Sequence, residues 1–464
     1  METDPTPDAQ GAALRTPVVW FMALAAALGT ATIYPLQPAI AEVAGSLHAS
    51  LTVVGTALAC GSLGYLVGLA LLVPLVDRFP PRRVLSAQFG TLAIALAAGA
   101  MVGSAWLLGL VVGLIGAGSS VGAQLSSIAG RLAQPRRRAS VLGVVTAGIS
   151  AGILAGRIVG GWMTDAISWR GTLFAFAVAC AVVAVTAWFT LPAVAGNATG
   201  GYLATVRGLP GLHGRYPTLR LAAGRGALWF FAFCTIWAGL PVALSQPPFS
   251  YSPERIGLYA FAGLLGVAAT RISGAWTDRI GARRVIVIGL VLAIAASAAL
   301  GAFLSNTVVT LVCLGLFDAG LFAAQVANQS TVLAIDPGAP ARFNSAYMIV
   351  YFIGGSFGAA SGAAAVGWFG WPATAALAAA AIAAAMAVTL TTPRTGSALR
   401  APTSSDAESA GSTEVAPSAP VEVPGRTRRS ASAVLVAIRY HSAAHAIAYG
   451  CRRRNGRCCR FGHG

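Results

Sequence analysis

The sequence carries one charged motif twice, each time between long apolar segments. The pattern Asp-Arg, any three residues, Arg-Arg-Val occupies residues 77–84 and returns at 278–285, an offset of 201 residues. At an offset of 202, the first and last glycines of 113–118 match those of 315–320. A second set recurs at the same offset, in which Gly152, Gly156, Gly160 and Trp169 match Gly354, Gly358, Gly362 and Trp371. Matches at nearly one spacing predict duplicated halves. A duplicated bundle of membrane helices is typical of secondary transporters.

Apolar segments recur along most of the chain, which has 464 residues and is 56% hydrophobic and only 10% charged. Soluble domains carry about 25% charged residues, and about 20 apolar residues cross a bilayer as a helix. The sequence therefore predicts an all-α polytopic membrane protein with twelve transmembrane helices in two pseudo-symmetric six-helix halves. The predicted spans are 17–40, 50–76, 84–105, 107–130, 139–163, 169–191, 225–247, 254–277, 285–305, 307–331, 343–367 and 371–391.

Arginine residues are concentrated in the loops that follow the even-numbered spans. These loops hold Arg78, Arg82, Arg83, Arg136, Arg137, Arg138, Arg207, Arg215, Arg220, Arg279, Arg283, Arg284 and Arg342. The opposite loops hold only Arg170 and Arg255. Because short cytoplasmic loops are enriched in basic residues, both termini are predicted to be cytoplasmic. The distribution of the +17 net charge between these loops and the C-terminal tail favours membrane orientation over a nucleic-acid partner.

The spans divide the chain into five regions. These are a cytoplasmic N-terminus (1–16), an N-terminal six-helix bundle (17–191), a cytoplasmic linker (192–224), a C-terminal six-helix bundle (225–391) and a disordered basic cytoplasmic tail (392–464). Glycine and proline residues in the linker argue against a long helix there, and residues 202–209 are predicted to lie on the membrane surface. The tail either binds anionic lipid or is an unselected extension, and the second interpretation is favoured.

The two charged motifs are predicted to act as a conformational latch. Each carboxylate ends a helix beside several arginines, so it can pair with a guanidinium or with a helix N-terminus in one conformation and release it in another. The alternative is that the arginines only fix membrane topology, and the repetition of the whole motif favours the latch. The latch residues are Asp77, Arg78, Arg82, Arg83, Asp278, Arg279, Arg283 and Arg284.

Glycines at every fourth position of spans 5 and 11 predict faces on which another helix backbone approaches closely. They are Gly152, Gly156 and Gly160 in the first half and Gly354, Gly358 and Gly362 in the second. We expect these packing seams to lie between the two halves, where the halves would rock.

Asp318 lies about eleven residues into span 10, near the middle of the bilayer. A lone carboxylate at that depth is costly and indicates a functional site, which makes Asp318 a candidate for binding and releasing a proton. Gln325 and Gln329 share its helical face, and Asn328 is adjacent. The polar stripe is predicted to face a substrate cavity. The alternative is a buried hydrogen-bonded group that only joins helices.

Further cavity candidates are Gln124 in span 4, Arg157 in span 5, and Tyr34 and Gln37 in span 1. Arg157 requires a counter-charge or water inside the membrane. It either gates the outer side or contacts an anionic substrate, or it forms a structural ion pair. The sequence contains no nucleotide-binding motif, no metal-ligand cluster and no Ser-His-Asp arrangement. We therefore predict neither an enzyme nor an ATP-driven pump, with no metal and no cofactor.

The repeated motifs resemble those of the major facilitator superfamily. Residues 274–284 are similar to its signature between the second and third helices of a half, and residues 152–161 resemble its antiporter motif with Arg157 in place of a proline. Segments 64–68, 73–78 and 351–355 are similar to those of bacterial drug or sugar efflux permeases. The resemblance implies that spans 1, 4, 7 and 10 line a central cavity.

The resemblance also shows one departure from the family. Proton-coupled drug antiporters of the family carry an arginine where this chain has Val112, which leaves Asp318 as the main coupling candidate. We therefore predict a monomeric secondary transporter in the bacterial cytoplasmic membrane that exports small drug-like or sugar-like molecules by proton antiport. The alternatives are an importer or facilitator on the same fold, and a non-transporting sensor or scaffold.

Overall fold

The computed structural model describes residues 16–134, 137–193, 202–336 and 340–391, and these residues belong to one compact unit. The predicted tail lies outside the described residues. The N-terminal half comprises α1 (Thr16–Ala31), α2 (Ile40–Ser46), α3 (Leu51–Leu71), α4 (Pro81–Met101), α5 (Ala105–Gly118), α6 (Val121–Leu132) and α7 (Arg138–Thr190). The remaining helices are α8 (Tyr202–Arg215), α9 (Pro217–Ser245), α10 (Pro253–Leu258), α11 (Gly263–Ile280), α12 (Ala282–Ala302), α13 (Thr307–Leu333) and α14 (Pro340–Thr391).

The helices give the twelve membrane-crossing segments that the sequence predicts. Within the described residues, nine helical segments are long and apolar enough to cross a membrane, with α5 and α6 together forming one of them, and α1 is a shorter apolar helix. Both α7 and α14 contain one residue with a positive φ, Ser168 at 76° and Gly370 at 79°, which divides each into two helical parts joined at a kink. The predicted all-α fold is therefore confirmed.

The segment between the halves differs from its prediction. Helix α8 covers 202–215 although it contains Pro210, and α9 begins at Pro217 rather than at residue 225. A proline at the first helical position is compatible with a helix, because that N–H would have no partner inside the helix. The glycine and proline residues of 192–224 were taken to argue against a long helix, whereas in the structure α8 and the first residues of α9 are helical. Arg225 is a buried residue inside α9.

The glycine seams lie inside each half rather than between the halves, so our expectation of their location was wrong. Gly148, Gly152, Gly156 and Gly160 of α7 lie against Ala23, Ala27, Ala31 and Pro35, and Gly354, Gly358 and Gly362 of α14 lie against Ala227, Phe231 and Thr235 of α9. A methyl group at most of these positions would overlap the backbone of the neighbouring helix. The spacing of four identifies a close-packing face, but it carries no information about which helix packs there.

The two halves contact each other through α3 with α14 and through α7 with α10. Close approaches join Gly55 to Ala363 and Gly161 to the Pro253 backbone. Both lie toward the end of the bundle opposite the repeated Asp-Arg motifs, which we call the Arg-rich end. Nearer the middle of α3, the rings of Tyr65 and Phe352 pack with their centroids 5.1 Å apart. We call the close contact of α7 with α10 the α7–α10 seam.

Candidate functional site

A buried arginine of the N-terminal half lies between two aromatic rings. The guanidinium carbon of Arg157 is 4.5 Å from the ring centroids of both Tyr34 and Trp237, and its Nε donates a hydrogen bond to Gln37 Oε1 at 3.0 Å. Arg157 is only 7% exposed. Cation–π contacts of this kind hold a desolvated guanidinium by attraction to the ring faces. Because Trp237 belongs to α9, the contact joins the two halves.

The segment after α1 places Tyr34 and Gln37 beside Arg157 for a local reason. Pro35 cannot donate a backbone hydrogen bond to Ala31, the last residue of α1, so the regular helix ends there. The chain then continues in turns until α2 begins at residue 40. Gly160 of α7 packs directly against Pro35, and this close approach brings the irregular segment within reach of the Arg157 side chain.

Asp318 lies in α13 and is 2% exposed. Its Oδ1 accepts a hydrogen bond from Trp237 Nε1 at 3.0 Å, so the indole that packs on Arg157 also holds Asp318. The other oxygen, Oδ2, is directed toward Gly263 of α11, where an added Cβ would lie 3.5 Å away. Asp318 and Arg157 also interact electrostatically. A carboxylate and a guanidinium are thus placed at one position between the halves.

Both charged groups line a cavity of about 80 Å³ between the two halves. The remaining lining is largely apolar, with rings from Phe233 and Phe322 and hydroxyl groups from Ser150 and Thr270. Because a liquid water molecule takes about 30 Å³, the cavity has room for two or three waters or one small polar group. The cavity can exchange a proton at the carboxyl and offer both donors and an acceptor to a ligand.

Three of the predicted cavity residues form a separate polar cluster inside the C-terminal half. Arg225 Nε donates to Asn328 Oδ1 at 2.7 Å, and Asn328 Nδ2 donates to Tyr347 Oη at 3.2 Å. The Tyr347 hydroxyl in turn donates to Gln325 Oε1. Gln329, one residue after Asn328, donates from Nε2 to Asn344 Oδ1 at 2.8 Å. These bonds join α9, α13 and α14.

Gln124 is also engaged inside its own half. It is fully buried, and its Nε2 donates to the Leu72 carbonyl and to Gln88 Oε1, each at 2.7 Å. The structure therefore brings together Tyr34, Gln37, Arg157 and Asp318 through Trp237 and leaves the other predicted candidates apart. The sequence analysis missed Arg225 and Gln88. Both are polar residues inside apolar segments, which is the signal that could have revealed them.

The two repeated motifs make corresponding contacts within their own halves. The guanidinium carbon of Arg82 lies 5.4 Å from the Trp188 ring centroid, and Arg283 Nη2 donates to the Leu390 carbonyl at 2.7 Å. In both cases the central arginine of the motif packs on the sixth segment of its half. The Asp77 side chain lies outside the described residues, and the Asp278 side chain is exposed. The latch between conformations stays a prediction.

At the end opposite the Arg-rich end, a hydrogen bond crosses between the halves. Asp165 Oδ2 in α7 accepts the backbone N–H of Glu254, in the first turn of α10, at 2.9 Å. Nearby, Glu42 Oε1 accepts the Trp169 N–H at 3.1 Å, just after the φ-positive Ser168. Partial burial raises the pKa of Glu42; the Trp169 N–H lowers it, and the Asp165 charge raises it further. In the described ranges, no group of three His, Cys, Asp or Glu residues could hold a metal ion.

Comparison with known proteins gives consistent matches along the chain. The family model of the Major Facilitator Superfamily matches residues 19–253 and 226–450. The uncharacterized transporter YgaY of Escherichia coli O157:H7 is 30% identical over 361 residues, which cover 76% of this chain and 90% of YgaY.

Two solved structures share the fold. The crystal structure of the nucleoside transporter NupG (D323A mutant) aligns with a TM-score of 0.68 at 13% identity, over 80% of this chain and 99% of that chain. A bacterial homolog to the human lysosomal transporter Spinster, in an inward-facing and unoccupied conformation, aligns with a TM-score of 0.59 at 16% identity, over 81% of this chain and 94% of that chain.

Proposed function

This chain belongs to the Major Facilitator Superfamily, and from that premise we propose that it is a proton-coupled secondary active transporter that exports small organic molecules. The superfamily resemblance inferred from the repeated motifs is thereby confirmed, and the chain is a multi-pass membrane transporter. The direction, the coupling ion and the substrate class belong to the proposal. We further propose that it acts as a monomer in the bacterial cytoplasmic membrane with its Arg-rich end in the cytoplasm.

The observation that carries the proposal is the position of Asp318. Its carboxyl is buried between two halves that must move relative to each other in alternating access. One oxygen is held by Trp237, and the cavity beside it has space for water. A carboxyl at such a place can take up a proton in one conformation and release it in another.

The chemistry of the cavity favours substrates that are uncharged or amphiphilic. Arg157 and Asp318 together contribute no net charge, and most of the remaining lining is apolar. A substrate hydroxyl or amide N–H would donate to the Asp318 carboxylate, and protonation of that carboxylate would weaken this bond, because a neutral carboxyl is a poorer acceptor and presents an O–H of its own. Proton and substrate would then compete for the same carboxylate, as antiport requires.

The proposed substrate site therefore consists of Tyr34, Gln37, Arg157 and Asp318. Among the other predicted candidates, Gln124, Gln325, Gln329 and Asn328 already form hydrogen bonds inside their own halves. We propose that these four hold helices together. Hydrogen bonds between buried amides stabilise a fixed arrangement, because separating the partners would leave polar groups without bonds. The Gln124 Oε1 atom is an exception, since it is buried without a partner among the described residues.

The test is the uptake of a fluorescent cation dye and of uncharged drug-like compounds into energised inverted vesicles. Asp318→Asn keeps the size of the side chain and an acceptor for Trp237 but cannot bind a proton. We expect gradient-driven uptake in the wild type and uptake at the level of empty vesicles in Asp318→Asn. The matched control is Glu254→Gln, because the Glu254 side chain is exposed; it should transport as the wild type does.

The amounts and folding of the three proteins are compared by size-exclusion chromatography before uptake is interpreted. Equal uptake by wild type and Asp318→Asn would refute proton coupling through this carboxyl. Flux that runs downhill without any dependence on the pH gradient would favour the facilitator alternative.

A further inference from the structure

Trp237 touches both charged groups of the site and belongs to only one of the halves. Its indole N–H donates to Asp318 of its own half, and its ring face carries the guanidinium of Arg157 from the other half. Trp237 is 5% exposed, so both contacts are shielded from solvent. A change at the carboxyl therefore reaches the contact between the halves through a single rigid ring.

We propose that Trp237 is a positioning residue that locks the empty transporter. With Asp318 ionised, the indole is fixed, and Arg157 is held on its face with a nearby counter-charge, so the halves stay in contact. A proton or a substrate donor on Asp318 releases the lock. This inference rests on the proposed function, because it assigns to Trp237 the task of blocking movement of the carrier when neither proton nor substrate is bound.

Protonation of Asp318 weakens both contacts of the Trp237 indole. A hydrogen bond to an ionised acceptor is about twice as strong as one to a neutral acceptor, so protonation of Asp318 weakens the bond that orients Trp237. The same proton removes the negative charge that attracts Arg157 across a low-dielectric gap, where opposite charges interact strongly. Both changes favour separation of Arg157 from the ring.

Few other titratable groups face this site. Tyr34 and Cys234 lie near the Arg157 guanidinium and interact with it electrostatically. From the side of α11, the cavity wall is formed by Gly263, Val267 and Thr270, which carry no charge. Arg157 is therefore the charged group that faces Asp318 among the described lining residues of the cavity.

An exchanger requires such a lock. If the empty carrier could change conformation freely, substrate would leave and the carrier would return without a proton, and the gradient would not drive export. The rule for obligatory exchange is that the loaded forms move and the empty form does not. A contact between the halves that depends on an unoccupied, ionised Asp318 fulfils that rule.

The experiment measures the distance across the α7–α10 seam as a function of pH. Spin labels are attached at Ile167 and Leu258, whose side chains are 51% and 43% exposed. The labels are coupled to a ketone-bearing synthetic amino acid, so that the native cysteines can be kept. The full-length protein in lipid nanodiscs is studied by double electron–electron resonance between about pH 8 and about pH 5, a range that spans carboxyl titration in buried sites. Protons are the only ligand added.

In the wild type at high pH we expect a single short distance between the labels. As the pH falls, a second population with a longer distance should appear and increase. Asp318→Asn should show the same distribution at every pH. Trp237→Phe keeps a ring for Arg157 but lacks the N–H that fixes the orientation of that ring, so the contact between the halves is weaker and the longer population should already be raised a few-fold at high pH. The midpoint of its pH profile should move upward by about half a unit.

The chain offers a matched control eight residues earlier in α9. Trp229 is buried to the same degree, and its Nε1 has no hydrogen-bond partner among the described residues. Trp229→Phe therefore removes an indole N–H without removing a bond, and it should follow the wild-type curve. Three results would each overturn the inference. They are an equal shift in Trp229→Phe, a pH profile of Trp237→Phe that matches the wild type, and a wild-type distance distribution that does not change with pH.

The two proposals fail separately. A pH-dependent distance that requires Trp237, in a protein without gradient-driven flux, keeps the lock and refutes the exporter. Gradient-driven flux that is lost in Asp318→Asn, together with a distance that does not respond to Trp237→Phe, keeps the exporter and refutes the lock.

Discussion

The glycine seam between α1 and α7 makes a quantitative prediction about the substitution Gly152→Ala. Gly152 is buried, and a Cβ added there would lie 2.9 Å from both the carbonyl carbon and the Cα of Ala27 and still closer to its oxygen. Non-bonded carbon atoms prefer separations of about 3.5–4.0 Å. The two helices would therefore have to separate by roughly 0.5–1 Å, because the opposing atoms belong to the backbone and cannot rotate away.

The expected loss of stability follows from two opposing terms. Overpacking of a close interface costs about 1–3 kcal/mol, whereas replacing glycine by alanine inside a helix gains about 0.5–1 kcal/mol. The net result for Gly152→Ala is a loss of about 0–2.5 kcal/mol in the free energy of unfolding, which places it about 1–3 kcal/mol below an alanine substitution at an open helical glycine. Gly143 in the same helix has nothing within 4 Å of an added Cβ, so Gly143→Ala should be neutral or slightly stabilised.

The assay is reversible unfolding of the detergent-solubilised protein by increasing mole fractions of sodium dodecyl sulfate, followed by far-ultraviolet circular dichroism. Wild type, Gly152→Ala and Gly143→Ala are compared in the same micelles. If Gly152→Ala is as stable as Gly143→Ala, the helices do not approach as closely as the structure indicates. The argument that each half is a rigid, close-packed unit would then fail with it.

Two further predictions concern the end opposite the Arg-rich end. Asp165→Ala removes the bond to the Glu254 N–H, and a hydrogen bond of this kind contributes about 0.5–1.5 kcal/mol. The spin labels across the α7–α10 seam should therefore show a population at the longer distance that is raised a few-fold. An unchanged distance distribution would contradict this. Glu42 has a pKa raised above its ordinary value of 4.5, so its native state gains protons more readily than the unfolded chain, and that stability is lost as the pH rises through the raised pKa. Glu42→Gln does not titrate, so its melting temperature relative to wild type should increase with pH above about 4.5, and a constant difference would count against the burial of Glu42.

The duplicated motifs were sufficient to predict the fold, because the repeat fixes two related halves and the apolar runs fix membrane helices. The kinks at Ser168 and Gly370 fall where the sequence analysis placed loops between spans. The start of α9 was placed at residue 225 because the glycine and proline residues before it were taken to argue against a helix. Composition reports the average polarity of a segment, and it does not show that Arg225 has a buried partner in Asn328.

The candidate site was predicted only in part, and the reason is the same throughout. Helical spacing places Asp318 and Gln325 on one face of a helix, but a face can meet a cavity or another helix. The structure places Asp318 at the cavity and Gln325 against Tyr347. Likewise the spacing of the glycines predicted a seam without its partner. Which helix lies opposite is determined by tertiary packing, which a single sequence does not record.

The buried charges occupy positions at which the two copies of the repeat differ. At the offset of 202, Asp318 corresponds to Gly116, Arg157 corresponds to Ala359 and Arg225 corresponds to Ala23. The duplicated part is thus the scaffold of close-packed helices, and each of these charges is present in only one copy. The repeated scaffold explains why the two halves are similar and rigid. A proton-coupled transport cycle also requires a site at which one protonation event changes the contact between the two halves.

The consequence of a buried charge depends on where it lies relative to the seam. Arg225 is bonded to Asn328 within one half, so its energy is the same in any conformation that moves the halves as rigid bodies. Arg157 belongs to one half and rests on Trp237 of the other, so its energy changes whenever the halves separate. A ligand shifts an equilibrium only by its differential interaction with the two states. In the mechanism that we propose, a proton on Asp318 therefore shifts the equilibrium between conformations through Arg157 and not through Arg225.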